Sequence, residues 1–403
     1  MYSRFFVVSF LRSFVKQEGE LARHVVIFFI VLVYLSPSLE AASPEIRPAL
    51  AAFIEGRYAD AEDSLKTMLA HHDTDRAQIW YLLGRINTWE GDIEAAFDWF
   101  EKAVKADSDT ADYQYWLGML YGAKAQRASI FGKPGKARRA RKAFEKAVRL
   151  DPDHVPARIK LLEYHLHAPG IMGGSKEKAL KQASEIASRN TMEGHMAWAL
   201  IHAKEKAQDK REKAYLDAVA QANGDVRPVV SLATHYFRDE RLLDAIRVYE
   251  AFLQSYPDRS PILRRLSNLY RLENENEKAF QAARRSLEVA TEALAALASE
   301  SHPGVQSFEK ALRAEGFRLQ ALYAVGRFSA LTGMVLDLGL ESLTAYLRQQ
   351  PARWKFARIN GLYRLGRIYA RQGRQDLARG AYRNVLKLNK DHKGARKALE
   401  KLE

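Results

Sequence analysis

Apolar and small residues recur along this chain on two scales. On the short scale, Trp80, Leu83, Gly84 and Asn87 fall three and four apart, as do Ala96, Phe100 and Ala103 beyond the turn at Gly91, which predicts two amphipathic helices in a row. On the long scale, Leu83 and Gly84 are followed 34 residues later by Leu117 and Gly118, and the same 34 separates Leu232, Tyr236 and Ala245 from Leu266, Tyr270 and Ala279. A period of 34 with small residues at two fixed phases describes stacked helical hairpins, each burying its apolar face only against its neighbours. Such a chain is all-α and grows one hairpin at a time, so its 403 residues do not require several cores.

The pattern can be followed along most of the chain. Gly56, Tyr58, Ala61 and Leu65 repeat the phases of Gly91, Ile93, Ala96 and Phe100, which marks the first hairpin. The third carries Leu117, Gly118 and Tyr121, then Ala140, Phe144, Ala147 and Pro152, with its halves 10 residues too far apart; a basic insert at 122–137 is expected there, lengthened helices around an exposed loop. The fourth is interrupted by a Gly-rich loop at 168–175, and residues 190–222 form a degenerate fifth. The sixth and seventh are regular. The expected organisation is a solenoid over 43–289, an irregular helical linker at 290–315, and further repeats with a lysine- and arginine-rich capping helix over 316–403.

These residues resemble the tetratricopeptide repeat (TPR) pattern, in which the glycine of helix A and the first alanine of helix B let the two helices approach closely. Ser108 departs from it, standing where the pattern usually has proline. The resemblance implies a right-handed superhelical solenoid of about eight or nine hairpins and a non-catalytic scaffold or adaptor that binds proteins or peptides in its concave groove. Trp116 to Ala125 (WLGMLYGAKA), Ala147 to Arg158 (AVRLDPDHVPAR) and the APGIMGG loop are similar to a group of exported bacterial repeat proteins, which suggests a place in cell-envelope assembly or transport. In repeats of this kind the groove is lined by helix A positions off the Leu-Gly face, here Tyr81, Arg85, Tyr115, Met119, Arg264, Asn268, Arg271, Tyr363 and Arg367. Arg264 and Asn268, one turn apart, match part of a carboxylate-clamp arrangement; the plain alternative is an ordinary polar groove.

Charge and the N-terminus refine where such a scaffold would work. Arg23 and His24 precede the unbroken apolar run Val25 to Leu35, followed by Ser36, Pro37 and small residues around Ala41 and Ala42. That order is a charged region, an apolar region and a cleavage site. Its 11 apolar residues fall short of the about 20 that span a bilayer. Residues 1–42 are therefore expected to be a signal peptide, with an uncleaved anchor at 25–35 as the alternative, and the protein is expected in the periplasm. The formal net charge of +14 is uneven: residues 44–121 hold 7 basic and 15 acidic side chains, 122–150 hold 10 against one, and 351–403 hold 15 against 4. The basic patch Lys133, Lys136, Arg138, Arg139, Arg141 and Lys142 supports a second reading, binding of a polyanion or an anionic membrane surface. Export and scarce aromatics nearby weigh against nucleic acid.

Catalytic chemistry finds little support. The absence of cysteine removes disulfides, thiolate metal sites, a cysteine nucleophile and a lipidated N-terminal cysteine. The loop Gly170 to Ser175 before Lys176 lacks the strand and the Gly-Lys-Ser/Thr order of a nucleotide loop, and leaves Ser175 as a helix N-cap. His165 with His167, and His195 with His202, lack the carboxylates that would complete a metal set. No metal, cofactor or enzyme signature is expected.

Overall fold

The computed structural model describes residues 46–71, 76–129, 132–301, 303–351 and 354–402. The expected signal segment at 1–42 lies outside them. Among the described residues the chain is helical, without strand, and its helices pair into nine hairpins and a cap. The first four are α1 (Arg47–Ile54) with α2 (Tyr58–His71), α3 (Arg76–Glu90) with α4 (Ile93–Ala106), α5 (Ala111–Arg127) with α6 (Lys133–Leu150), and α7 (Val155–His167) with α8 (Lys176–Ala187). Next come α9 (Thr191–Glu205) with α10 (Gln208–Ala220), α11 (Val226–Arg238) with α12 (Leu242–Ser255), and α13 (Ser260–Leu272) with α14 (Asn276–Ala298). The last are α15 (Val305–Thr332) with α16 (Leu336–Gln349) and α17 (Lys355–Arg371) with α18 (Gln375–Leu388), closed by α19 (Lys393–Glu400). Nine hairpins fall within the eight or nine expected from the period.

The repeat phases have direct physical causes. A Cβ on Gly84 would lie 2.7 Å from the Phe100 ring, and one on Gly118 would lie 2.6 Å from Phe144, so glycine is what allows helix A to rest on the aromatic of helix B. Ala96, at the reciprocal phase, is fully buried. The turn residues Gly91 and Gly373 have φ of +86° and +74°, a region that disfavours any side chain. N-caps begin several helices: Asp92 accepts from Ala95 N–H, His154 Nδ1 from Ala157 N–H, and Ser175 from Lys178 N–H.

Two segments lengthen the hairpins beyond the regular repeat. At 122–137 the helices are lengthened as expected, α5 to 17 and α6 to 18 residues, and the connection between them is only a few residues long. All six residues of the basic patch lie on α6 itself. The segment 290–315, expected as an irregular helical linker, comprises the end of the 23-residue α14, a short turn, and the start of the 28-residue α15.

That extra length bends the solenoid back on itself. The first helices of successive hairpins touch one another (α11 with α13, α13 with α15, α15 with α17), so they form the inner wall. The first half of α15 also packs on α1 and α3, the inner helices of the first two hairpins, and α14 reaches α1. One hydrophobic core therefore joins residues far apart in sequence: Phe53 meets Phe308 with ring centroids 5.2 Å apart, amid Leu50, Leu82, Leu294 and Leu312. Two carboxylates on α15 complete the junction. Glu315, fully buried, accepts from the Tyr58 hydroxyl at 2.6 Å and from Arg318 Nε and Nη2 at 2.7 Å each. Glu309 accepts from the Tyr81 hydroxyl at 2.9 Å and pairs with Arg85. Farther on, the Trp354 indole N–H donates to the Trp89 carbonyl at 3.2 Å, with the two rings 5.3 Å apart.

Two expectations follow for stability. Gly84→Trp or Ala96→Arg, forcing bulk or charge into a tight helix contact, should cost about 1–3 kcal/mol or more, read as lost helical signal and a lower melting temperature. Glu315→Ala, which strands the Tyr58 hydroxyl and Arg318 in a buried junction, should cost about 3–5 kcal/mol. An unchanged denaturant midpoint for Glu315→Ala would mean that the first hairpins do not rest on α15 in solution.

A candidate anion-binding groove

Helix α13 sorts its residues cleanly between two faces. Ile262, Leu263, Leu266, Leu269 and Tyr270 are buried against neighbouring helices, while Arg264, Asn268 and Arg271 follow one another at i, i+4 and i+7 along the inner wall. They line a cavity of about 390 Å³ together with Arg265 of the same helix, Arg327 of α15, Tyr249 of α12, and Thr234 and Phe237 of α11. Four arginines thus share one cavity, and no carboxylate lines it.

The electrostatics of this cluster are unfavourable as it stands. The Nε atoms of Arg264, Arg265 and Arg271 are shielded from solvent and make no hydrogen bond. Burial, and then the neighbouring Arg265, push the Arg264 guanidinium down to about 10, so it stays charged at neutral pH without a balancing anion. Arg327 donates from Nη1 to Asn268 Oδ1 at 2.9 Å; burial lowers it too, followed by the charges of Arg271 and Arg364. By contrast, Arg85 is matched with Glu309, Arg318 with Glu315 and Arg189 with Glu185. Uncompensated guanidinium groups around a cavity favour an anionic occupant, since carboxylate and phosphate accept paired N–H donors.

The structure distributes the groove residues expected from the sequence unevenly. Arg264, Asn268 and Arg271 converge on one cavity, joined by Arg265 and Arg327. Tyr81 and Arg85 are not open to a partner, because α15 covers them and Glu309 accepts from the Tyr81 hydroxyl and pairs with Arg85 Nη1. Tyr115 and Met119 pack into the junction of the third and fourth hairpins, Tyr115 against Phe144 and His154 with centroids 6.0 and 5.2 Å away. On α17 the expected positions are out of register: Tyr363 leans toward the cap, 4.8 Å from His392 and 5.9 Å from Tyr382, and Arg367 senses Tyr382. Arg364, not Tyr363 or Arg367, approaches Arg327. One sequence signal for Arg327 was available: it follows Gly326, whose Cβ would lie 2.2 Å from Leu343, just as Arg85 follows Gly84 and Arg367 follows Gly366.

The other candidates have local explanations. On α6, Lys133, Arg138, Arg139 and Lys142 are exposed along the helix, whereas Arg141 pairs with Glu145 at 2.8 Å. The Gly-rich loop is a short 3₁₀ turn at Gly170–Met172, tied down by the Tyr164 hydroxyl donating to the Met172 carbonyl at 2.7 Å. His165 belongs to that tie: it is buried, and its Nδ1 sits 2.9 Å from the Gly173 carbonyl, to which it donates. Among the described residues no group of His, Asp or Glu could hold a metal ion, and no helix is long and apolar enough to cross a membrane.

Comparison with known proteins agrees with the repeat geometry. Tetratricopeptide repeat models match residues 49–111, 121–154 and 359–392. No curated protein matches by sequence. Among solved structures, yeast Tom70 resembles the chain at 13% identity and a TM-score of 0.49, over 98% of this chain and 76% of its own. A thermophilic TPR protein of Thermus thermophilus does so at 19% identity and 0.39, over 48% and 97%. YrrB, a TPR protein with an unusual peptide-binding site, does so at 15% identity and 0.39, over 54% and 97%.

Because four guanidinium groups share one cavity without a carboxylate, removing one should relieve repulsion. Arg264→Met is expected to leave the fold intact and to raise stability by about 1 kcal/mol at low salt. Inorganic phosphate should raise the melting temperature of the unsubstituted protein by several degrees and that of Arg264→Met by less, as differential scanning fluorimetry would show.

Proposed function

Because the chain is a tetratricopeptide repeat protein, its fold is that of a protein-interaction scaffold, and we propose that it binds a partner protein through an acidic segment laid into the arginine groove. The observation that carries this reading is the set of buried guanidinium Nε atoms without acceptors around a cavity without acids. In an interface, arginine supplies both apolar contact and directional donors, so such a cluster acts as an anchor once an acceptor arrives. The first two hairpins contribute to stability rather than recognition, since their inner face is spent on α15. The role is binding without catalysis. With residues 1–42 read as an export signal, the scaffold would serve in the periplasm, in envelope assembly or transport.

A second reading has its own observation: the exposed lysines and arginines of α6 begin at a helix N-terminus with no acidic residue in its first turn, which leaves the positive end of the helix uncompensated. That face suits an anionic surface, but its charges are spread along a helix rather than gathered around a cavity.

Photo-crosslinking in cells separates the readings. A photoreactive residue in place of Arg271 should give discrete protein adducts, and one in place of Arg139 should give none; lipid adducts at 139 with silence at 271 would reverse the assignment. For purified protein, Arg264→Ala with Arg271→Ala should weaken an acidic peptide at least tenfold, measured by fluorescence anisotropy. Signal cleavage is tested by N-terminal sequencing of the mature protein.

A further inference from the structure

A second cavity, of about 510 Å³, has a different lining: Tyr323 of α15, Tyr346 of α16, and Trp354, Lys355, Phe356, Ala357 and Asn360 at the start of α17. Phe356 is 77% exposed, and the Tyr323 and Tyr346 rings are 5.4 Å apart. The two cavities are aligned by the helices that build them. Tyr323 lies one turn before Arg327 on α15, and Asn360 lies one turn before Arg364 on α17. The inner helices α15 and α17 pack together, and α15 contributes to both cavities, Tyr323 to the aromatic one and Arg327, one turn later, to the arginine one. One turn of α15 thus separates the two linings.

The chamber also depends on the closure of the superhelix. Trp89, from the second hairpin, packs into the same apolar cluster as Leu319, Leu322 and Tyr346, and its carbonyl holds the Trp354 indole. The aromatic wall comes from the eighth and ninth hairpins and is backed by Trp89 of the second.

We propose that this chamber takes an aromatic side chain of the same acidic segment that the arginine cavity binds, so that the partner is recognised by acidic residues with an aromatic residue about two to four positions away. The inference rests on the acidic-segment reading given above. One helical turn is about 5.4 Å and an extended residue spans about 3.3 Å, which sets the short separation. Offset or edge-to-face stacking on Tyr323, Tyr346 and Phe356 would hold the ring, and Asn360 supplies a polar contact at the rim.

Fluorescence anisotropy with the full chain and three labelled peptides tests this. The first has two adjacent glutamates and a phenylalanine three residues on; the second has alanine for the phenylalanine; the third has glutamine for both glutamates. The unsubstituted protein should bind the first at least tenfold more tightly than the second. Phe356→Ser, at an exposed position, should erase most of that preference and leave the affinity for the second peptide unchanged; Trp89→Ala should do the same if it folds, judged by circular dichroism. Arg264→Ala with Arg271→Ala should weaken the first two alike. Equal binding of the first two peptides, with the third rejected, overturns the aromatic chamber and leaves the acidic-segment reading standing. Failure to distinguish the first peptide from the third overturns both.

Discussion

Two carboxylates on one long helix decide the shape of this protein. Glu309 and Glu315 lie on the face of α15 that meets the first two hairpins, and each is satisfied by a tyrosine hydroxyl from across the junction and by an arginine. A buried carboxylate without such partners would be costly, and an apolar junction alone would leave the rotation of α15 on α1 and α3 loosely specified. The hydrogen bonds give the junction a defined register, around which Phe53, Trp89 and Phe308 close the core. Everything downstream inherits that placement, including the aromatic wall shared by Trp89 and Trp354.

A solenoid ordinarily leaves its inner wall open along its whole length. Here the wall is divided. Its first portion is filled by the chain's own α15, where acids meet arginines and tyrosines; its later portion keeps arginines without acids and aromatic rings without cover. The same residue type has opposite roles in the two places: Arg85 is a structural partner of Glu309, whereas Arg264 and Arg327 have no acid to pair with and stay charged at neutral pH, the condition in which an incoming anion gains most.

What could be read from the sequence follows the distance over which each feature acts. Contacts within a hairpin are local, so glycine facing an aromatic leaves a phase that repeats: Gly84 with Phe100, Gly118 with Phe144. The Arg264, Asn268 and Arg271 stripe was legible for the same reason, being a period along one helix. The pairing of Tyr81 with Glu309 spans 228 residues and belongs to no repeat phase, so nothing in the pattern announced that Tyr81 and Arg85 were already engaged. On α17 four arginines follow one another among the apolar positions, and Tyr363 is turned toward His392 of the cap, which the repeat pattern alone did not announce. The segment 290–315, expected as an irregular helical linker, lacks the repeat register because the alanine-rich end of α14 buries Leu294 and Leu297 against the first hairpin.

The contact between Tyr58 and Glu315, 257 residues apart, also changes the order in which the protein can reach its final form. A linear array can complete each hairpin as it leaves the ribosome or a translocation channel, but here the earliest hairpins must wait, with Phe53 and Leu82 incompletely covered, until the eighth has been made. Long-range pairing of this kind slows folding and prolongs the lifetime of a sticky intermediate. The first two hairpins are thus the natural client for a holdase during synthesis or transit, and a chain truncated before residue 305 would keep that exposed surface permanently.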